Sequence, residues 1–136
     1  MTTVIFFSPL DKRVDNGIEL KESMIAFGLG HLLDTVDGDL DACPSDEWVS
    51  KLSPGEKQTM AFIRLLHHRP PLAFLDEASS AISVEKERLL YESCLNTNIQ
   101  IVSIGHRPTL LKFHQIKLTL GLPNNGWTIE RINASQ

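Results

Sequence analysis

Three polar segments, well separated along the chain, have the residue types needed to handle a phosphate. Leu52-Ser53-Pro54-Gly55-Glu56 offers a hydroxyl and a bare glycine, Asp76-Glu77 ends the apolar run 72–75, and His106 follows later. A helix N-terminus attracts an anion, a strand-end carboxylate reaches a Mg²⁺ that bridges phosphates, and a histidine can donate a hydrogen bond. The three segments together suit a site around the terminal phosphate of a nucleotide.

The spacing between these segments says more than any one of them. Ser53 with Glu56 is explained by a capping box alone, and an acidic pair after a strand is often only solvated. However, Asp76 follows Ser53 by 23 positions, and His106 follows Asp76 by 30. Those intervals fit a helix leading into a strand, and then a helix leading into a second parallel strand. We therefore expect His106 beside Asp76 at the carboxyl edge of the sheet, where ligands of open α/β folds bind.

Glu77 is the candidate for activating a water molecule. Successive side chains of a strand alternate in direction, so we expect Glu77 to point away from Asp76. From there its carboxylate would polarise a water for attack on the phosphate, with His106 orienting that water.

The first third of the chain predicts one short strand and helices. Residues 4–7 form a β-rich run that Ser8-Pro9 ends, and apolar residues recur at helical spacing over 18–27. One further helical turn is expected over 31–36. The segment 34–47 is acidic and without a basic residue, and Gly38 comes too early for a calcium loop, so a solvated surface loop is predicted.

The remainder alternates strands and helices. Ser53 caps a helix with Pro54 in its first position, and we expect that helix to end near His68, before Pro70-Pro71. Continuous apolar runs are typical of buried parallel strands. The predicted elements are strand 72–75, helix 84–95 capped by Ser83, buried strand 99–104, a short helix 108–113, and a hairpin of 117–120 with 127–132 across 123–126. This pattern predicts an α/β fold with a parallel core and an antiparallel end piece.

Bulk composition narrows the function classes. With 136 residues and 42% hydrophobic content the chain can form one domain with its own core. A net charge of -4 argues against a nucleic-acid binder. The sequence has no apolar stretch near the ~20 residues that span a bilayer, and its start predicts a strand rather than a signal peptide. Cys43 and Cys94 lack metal-ligand spacing, which favours two reduced thiols in the cytosol.

At this point the three segments resemble a known family, the nucleotide-binding domain of ATP-binding cassette (ABC) transporters. The signature corresponds to 52–56, the Walker B strand to 72–77, the D-loop to 79–83 and the switch histidine to His106. The resemblance implies a partial P-loop NTPase fold, a parallel sheet core with a helical signature subdomain, and ATP and Mg²⁺ as cofactors. It divides the chain into a Q-loop region (1–15), a helical signature subdomain (16–68) and a core lobe (69–136).

The resemblance also implies roles for individual residues. Glu77 and His106 would be catalytic, and Asp76 would bind Mg²⁺. ATP would be contacted by five residues, of which the first three would act in trans, on the nucleotide of a partner subunit: Ser53, Gly55, Glu56, Ser79 and Ala81.

Within the family, the residues of these motifs are similar to those of subfamily D, the peroxisomal and lysosomal half-transporters. This similarity rests on four features of the sequence: the proline in the signature, the segment 103–110, the segment 112–114 and Trp127. The signature is most similar to that of the lysosomal cobalamin-transport member, and bacterial exporters are a near alternative. The resemblance implies a second half-transporter subunit, a transmembrane domain in the full-length protein, no nucleic acid, and the cytosolic face of a peroxisomal, lysosomal or ER membrane.

The chain departs from the family pattern in four respects. It has no Gly-x-x-x-x-Gly-Lys-Ser/Thr (Walker A) loop, which with the adenine-stacking strand would precede residue 1, and no membrane helices. Leu10 stands where the family has the Q-loop glutamine, and Thr59 replaces a usual arginine. We therefore expect the C-terminal part of such a domain, unable to hydrolyse ATP alone.

Other interpretations stay open at this stage. The chain can be a non-catalytic dimerisation or regulatory module that donates its signature in trans, or a truncated product without activity. A lobe of a chromosome-maintenance ATPase would need a long heptad segment before the signature, and residues 16–51 show none. Without the phosphate-loop strand, we also expect the apolar strands to have an exposed flank and the chain to be marginally stable or to associate.

Overall fold

The computed structural model describes residues 4–6, 18–41, 46–122 and 126–132. Strands and helices alternate over residues 72–113, as the α/β pattern predicts, whereas the described part of 18–68 holds four helices and no strand. In chain order the elements are β1 (Val4–Phe6), α1 (Ile18–Ala26), α2 (Gly30–Asp34), α3 (Asp46–Lys51), α4 (Pro54–His68), β2 (Leu72–Asp76), α5 (Val84–Asn96), β3 (Gln100–Ile104), a 3₁₀ helix (Pro108–Phe113), β4 (Ile116–Leu122) and β5 (Gly126–Arg131).

The main sheet has the strand order β1-β2-β3, so β2 is central. β2 and β3 are parallel, with Ala73 opposite Ile101 and Leu75 opposite Ser103. This confirms the predicted parallel pair. β1 pairs with β2 in the antiparallel direction, whereas we expected antiparallel pairing only in the end piece. A strand at the free edge of β2 can satisfy that edge's backbone groups in either direction, so local sequence does not fix the choice.

The helix α4 begins and ends where the sequence predicts. Ser53 is its N-cap and completes a capping box with Glu56, and Pro54 occupies the first turn, where its missing N–H costs nothing. At the other end Arg69 adopts the left-handed conformation with φ 46°, and its N–H bonds to the Leu65 carbonyl.

Two apolar clusters form the core, and α4 contributes to both. Phe62 and Leu65 pack with β2, α5 and the 3₁₀ helix in the sheet cluster. Ile63 packs with α1 and α2 in the helical cluster, which Trp48 and Leu52 flank. α4 therefore joins the helical part to the sheet, and the domain boundaries given above stay a prediction.

The two faces of the β2–β3 pair differ in burial. On the inner face Ala73 and Leu75 are buried under α4 and α5. On the outer face Phe74, Val102 and Ile104 are 38%, 43% and 59% exposed. The prediction of two fully buried strands is therefore wrong for this face, because the described residues cover the pair from one side only.

The predicted hairpin is present as β4 and β5. The strands are antiparallel, with Leu118 opposite Ile129 and Leu120 opposite Trp127, and 123–125 lie outside the described residues. One face of the hairpin is apolar and exposed: Ile116, Leu118, Leu120, Trp127 and Ile129.

The acidic segment 34–47 is only partly a loop. Asp34 ends α2, turns continue to Asp41, and α3 begins at Asp46, so the prediction of a loop up to Glu47 is wrong at its end. Trp48 explains the extra helix, since its indole N–H donates to the Thr35 hydroxyl at 2.8 Å and its ring packs on the helical cluster. Within the ranges that the structure describes, no three potential metal-ligating side chains cluster.

Two further expectations from composition can be compared with the structure. None of the helices among the described residues combines the length and apolarity that crossing a bilayer requires. Cys94 is a free thiol, and burial raises its pKa to about 12, while Cys43 lies outside the described residues. A thiol with so high a pKa is unreactive at neutral pH.

Candidate functional site

The carboxyl ends of β2 and β3 bring the acidic pair and the histidine together. Asp76 lies opposite Ile104 in the strand register, and His106 follows Ile104 by two residues. The Glu77 carboxylate Oε1 lies 3.1 Å from His106 Nε2. A carboxylate and an imidazole separated by 29 residues in sequence are thus in direct contact at the sheet edge, although the spacing argument placed His106 beside Asp76.

Glu77 reaches this position through an uncommon backbone conformation. Its φ is 47°, in the left-handed region that non-glycine residues rarely adopt. β2 ends at Asp76, and the Glu77 N–H donates to the Ile104 carbonyl at 2.8 Å. The expectation that strand alternation directs Glu77 is therefore wrong, because this residue lies beyond the strand. Residues with a strained backbone, held in place by several surrounding contacts, are frequent at functional sites.

The histidine side chain is almost fully solvated. The His106 side chain is 94% exposed, whereas that of Glu77 is 35% exposed. Packing therefore contributes little to the position of the ring, and its place beside Glu77 depends on the backbone that carries it.

Ser53 occupies an exposed position at the N-terminus of α4. Its hydroxyl oxygen accepts the Glu56 N–H at 3.2 Å, and its own N–H donates to Glu56 Oε2 at 2.7 Å. The Ser53 hydroxyl also interacts with the Glu56 carboxylate, so within this chain it is part of the cap. This first turn of a 15-residue helix also has the positive end of the helix dipole.

The Glu56 carboxylate is held within the protein through both of its oxygens. One oxygen receives the Ser53 N–H, and the other lies 2.8 Å from His31 Nε2. The hydrogen bonds with Ser53, followed by the one with His31, lower the pKa of Glu56 from 4.5 to about 2. Its carboxylate is therefore ionised at neutral pH, which disfavours direct contact with a phosphate. This geometry supports a structural contribution from Glu56.

Gly55 and Gln58 fix α4 against the segment 77–82 that follows β2. A Cβ on Gly55 would lie 2.8 Å from the Ala81 carbonyl oxygen, so only glycine permits this approach. The buried amide of Gln58 donates to the Glu77 carbonyl and to the Ser80 hydroxyl, and it accepts the Ala81 N–H at 2.8 Å. The signature turn and the acidic pair thus rest on one common segment.

Ser79 and Ala81, both expected near a nucleotide, have their polar groups engaged inside the protein. Ser79 is buried, and its hydroxyl donates to Glu87 Oε2 at 2.6 Å. The Ala81 N–H is taken by Gln58. Both residues therefore shape the loop in this conformation.

A second set of polar side chains beside this site was not predicted from the sequence. Arg107 donates to the Ser80 and Ile82 carbonyls at 3.0 and 2.9 Å and to Glu87 at 3.3 Å. Glu87, like Gln58, is a polar residue buried within a helix. The positions of Gln58 and Glu87 on the apolar faces of their helices were the available signal.

The two departures at single residues have different outcomes. Thr59 is completely buried, and its hydroxyl donates to the Gly55 carbonyl at 2.8 Å, so position 59 does not face solvent here. Leu10 lies outside the described residues.

The donors at the sheet edge can be tested against a magnesium ion. Mg²⁺ in nucleotide sites uses one or two carboxylates, with phosphate oxygens and water filling the other positions. Asp76 supplies one hard oxygen donor at the end of β2 and is half-buried. That donor set fits an ion bound together with phosphates.

Comparison with known proteins gives the following relatives. The chain is 42% identical over 111 residues to ABC transporter D family member 2, chloroplastic, of Arabidopsis thaliana, an alignment that covers 78% of the chain and 15% of that protein. It is 35% identical over 130 residues to ABC transporter D family member 3 of Dictyostelium discoideum (93% and 17%). It is 40% identical over 99 residues to ATP-binding cassette sub-family D member 3 of Homo sapiens (73% and 15%).

The chain thus spans 15–17% of the length of these relatives. No protein-family model matches the chain.

Proposed function

Because the homologues of this chain are ABC transporters of subfamily D, we propose that it is the C-terminal part of the nucleotide-binding domain of such a transporter. In this role it helps to couple ATP binding and hydrolysis to transport across a membrane. The observation that carries the proposal is the 3.1 Å contact between Glu77 and His106 at the carboxyl ends of parallel strands.

Two groups of residues divide the work. Asp76, Glu77 and His106 serve the nucleotide of their own domain, whereas Ser53 and Gly55 face the nucleotide of a second subunit. The exposed position of Ser53 supports the second role, since a second subunit can reach the positive end of the α4 dipole there.

Glu77 is suited to accept hydrogen bonding from an attacking water. Its carboxylate is about one third exposed, so water can reach it, and the contact with His106 fixes one of its oxygens. His106 has a second ring nitrogen besides Nε2, and its 94% exposure leaves the ring open to a phosphate oxygen. The pair can orient a water and stabilise charge at the terminal phosphate.

The remaining charge on the phosphates requires cations. Asp76 would hold Mg²⁺, which supplies charge neutralisation across the phosphates when bound. The Walker A loop and its lysine, which supply most phosphate contacts in this fold, are not in these 136 residues. We therefore propose that the 136-residue chain hydrolyses no ATP by itself and that its activity in isolation is limited to the donation of Ser53 and Gly55.

This trans role can be tested by nucleotide occlusion. The purified chain is added to an intact nucleotide-binding domain of a subfamily D half-transporter, and the ATP retained after rapid gel filtration is measured. We expect retained ATP to rise with added chain, and Ser53→Arg to abolish the rise, because the arginine blocks the cap. Baseline turnover of the chain alone should be absent.

A matched variant controls for the added charge. Asn96→Arg places the same side chain at an exposed site, the C-terminal end of α5, and should leave the rise intact. The proposal fails if Ser53→Arg and Asn96→Arg behave alike, or if the isolated chain turns over ATP in a way that Glu77→Gln removes.

The finer assignments are part of the same proposal. The partner is a second half-transporter subunit, and the location is the cytosolic face of an organelle membrane. One of the relatives is named chloroplastic, which adds plastids to the peroxisome, lysosome and ER as candidates. The proline in the signature favours the cobalamin-transport type within the subfamily. The transporter names of the relatives favour this role over a chromosome-maintenance ATPase.

A further inference from the structure

The position of His106 depends on its neighbours in the chain. The ring is 94% exposed, so packing does not hold it, yet Nε2 lies 3.1 Å from Glu77. Anchors on both sides of residue 106 must therefore fix the ring. The consequence for hydrolysis depends on the function proposed above, but the anchors themselves are features of this chain.

The anchor on the amino side is formed by the strands. The Glu77 N–H donates to the Ile104 carbonyl at 2.8 Å, which extends the β2–β3 pairing by one bond. Gly105 then passes so close to Leu110 that a Cβ would lie 2.7 Å from its Cδ1. The backbone bond to Ile104 therefore holds the chain that enters residue 106, and the Leu110 side chain packs beside it.

The anchor on the carboxyl side is Arg107. Its guanidinium spans to the segment after β2 and donates to two carbonyls, those of Ser80 and Ile82. It also donates to Glu87 Oε2 at 3.3 Å. The residue that follows His106 is therefore tied to the same segment that begins with Glu77.

Glu87 lies at the centre of this junction. Its side chain is 1% exposed, and it accepts hydrogen bonds from Ser79, Thr109 and Arg107. These donors come from the segment after β2 and from the segment after β3. We infer that Glu87 is a positioning residue: its buried carboxylate joins the two segments and thereby holds His106 against Glu77.

The charge of Glu87 is what the junction requires. All three partners are donors, and a carboxylate offers acceptors only. In Glu87→Gln the shape is kept, but the amide NH₂ faces donors and Arg107 loses its charged partner. Removing one member of a buried ion pair leaves the other uncompensated. The Arg107 side chain should then leave the junction and release the backbone at His106.

The test measures whether His106 still responds to Glu77. The ring ¹⁵N signals of His106 are recorded by NMR for the isolated chain without nucleotide, with and without Glu77→Gln, in the native and the Glu87→Gln backgrounds. We expect the change that Glu77→Gln causes in the native background to fall to about half or less in the Glu87→Gln background, as for coupled sites. An equal change in both backgrounds would overturn the inference.

Matched variants separate positioning from general loss of structure. Glu85→Gln alters an exposed carboxylate on the same helix, which pairs with Arg88, and should leave the His106 response intact. If Glu87→Gln does not fold, Thr109 decides the question. Thr109→Val, which loses the hydroxyl, should reduce the response, and Thr109→Ser, which keeps it, should restore it. A full response in Thr109→Val, or a reduced one in Glu85→Gln, would contradict the inference.

Because no nucleotide is present, this result is independent of the occlusion experiment. Loss of coupling without any trans effect on ATP would leave the positioning role intact and refute the proposed function alone.

Discussion

The two faces of the β2–β3 pair both carry apolar residues but differ in what covers them. The inner face, with Leu75 at 1% exposure, is closed by α4 and α5. The outer face leaves Ile104 59% exposed, and the apolar face of the β4–β5 hairpin is similarly open. A continuous hydrophobic run thus indicates that a strand can be buried on both faces. The helices of the described part of the chain cover only one of them.

Truncation of one side chain on each face would test this contrast with the largest effect. Leu75→Ala opens a cavity in the closed core and should cost about 2–5 kcal/mol of unfolding free energy. Ile104→Ala removes a similar volume from the open face and should cost less than about 1 kcal/mol, because most of that side chain is already solvated. Urea denaturation followed by circular dichroism measures both. Equal losses would mean that the outer face is covered in solution, for example by self-association.

The N-terminal caps of α4 and α5, the two helices that cover the inner face, allow a second comparison. Ser53 caps α4 with a full capping box, whereas Ser83 caps α5 through a single bond from the Lys86 N–H. Replacing either serine by alanine should cost about 1 kcal/mol, with a range of about 0.5–2. Ser53→Ala should cost more than Ser83→Ala, because the Glu56 carboxylate loses its partner hydroxyl as well. The same denaturation series measures the difference, and a larger loss for Ser83→Ala would contradict this account of the caps.

Acid should lower the stability of the fold through Glu56 in the cap of α4, and this effect should be the smallest of the three. The pKa of Glu56 lies at about 2 in the folded chain, below its ordinary value of 4.5. The ionised carboxylate therefore stabilises the fold above pH 4.5, and this contribution is lost as the pH falls towards 2. Thermal melts across this range should show a shallower decline for Glu56→Gln than for the native chain.

Ser53→Ala serves as a second check on the same group. Ser53 is the main cause of the lowered pKa, so this variant should lose part of the acid sensitivity while keeping the carboxylate. If Glu56→Gln and the native chain decline in parallel between pH 4.5 and 2, the cap does not depend on this charge.

Features set by neighbouring residues were predictable from the sequence. Ser53, Pro54 and Glu56 mark the start of α4, and Pro70-Pro71 mark its end near His68, because caps and prolines act over a few positions. The hairpin and the cap at Ser83 were predicted on the same local grounds. The meeting of His106 with the acidic pair at the carboxyl edge was accessible too, since strand order and spacing determine which residues share that edge, but its direct contact with Glu77 was not predicted.

Features set by distant partners were not predictable. The direction of β1 depends on which edge of β2 is free, and the exposure of β3 depends on what packs over it. The bond between Glu87 and Arg107 joins residues 20 positions apart through their burial, and no local pattern marks such a pair. The left-handed conformation of Glu77 likewise follows from the loop that Gln58 and the Ile104 carbonyl hold.

Gly55 has a consequence for how substitutions at the end of α4 are to be interpreted. Any side chain there would press on the Ala81 carbonyl at 2.8 Å, so the helix would be wedged away from the loop before any ligand arrived. A deleterious effect of Gly55→Ala would therefore reflect disturbed packing of α4 on the segment 77–82. Ser53 is exposed but also caps α4, so a substitution there changes the start of the helix together with any ligand contact.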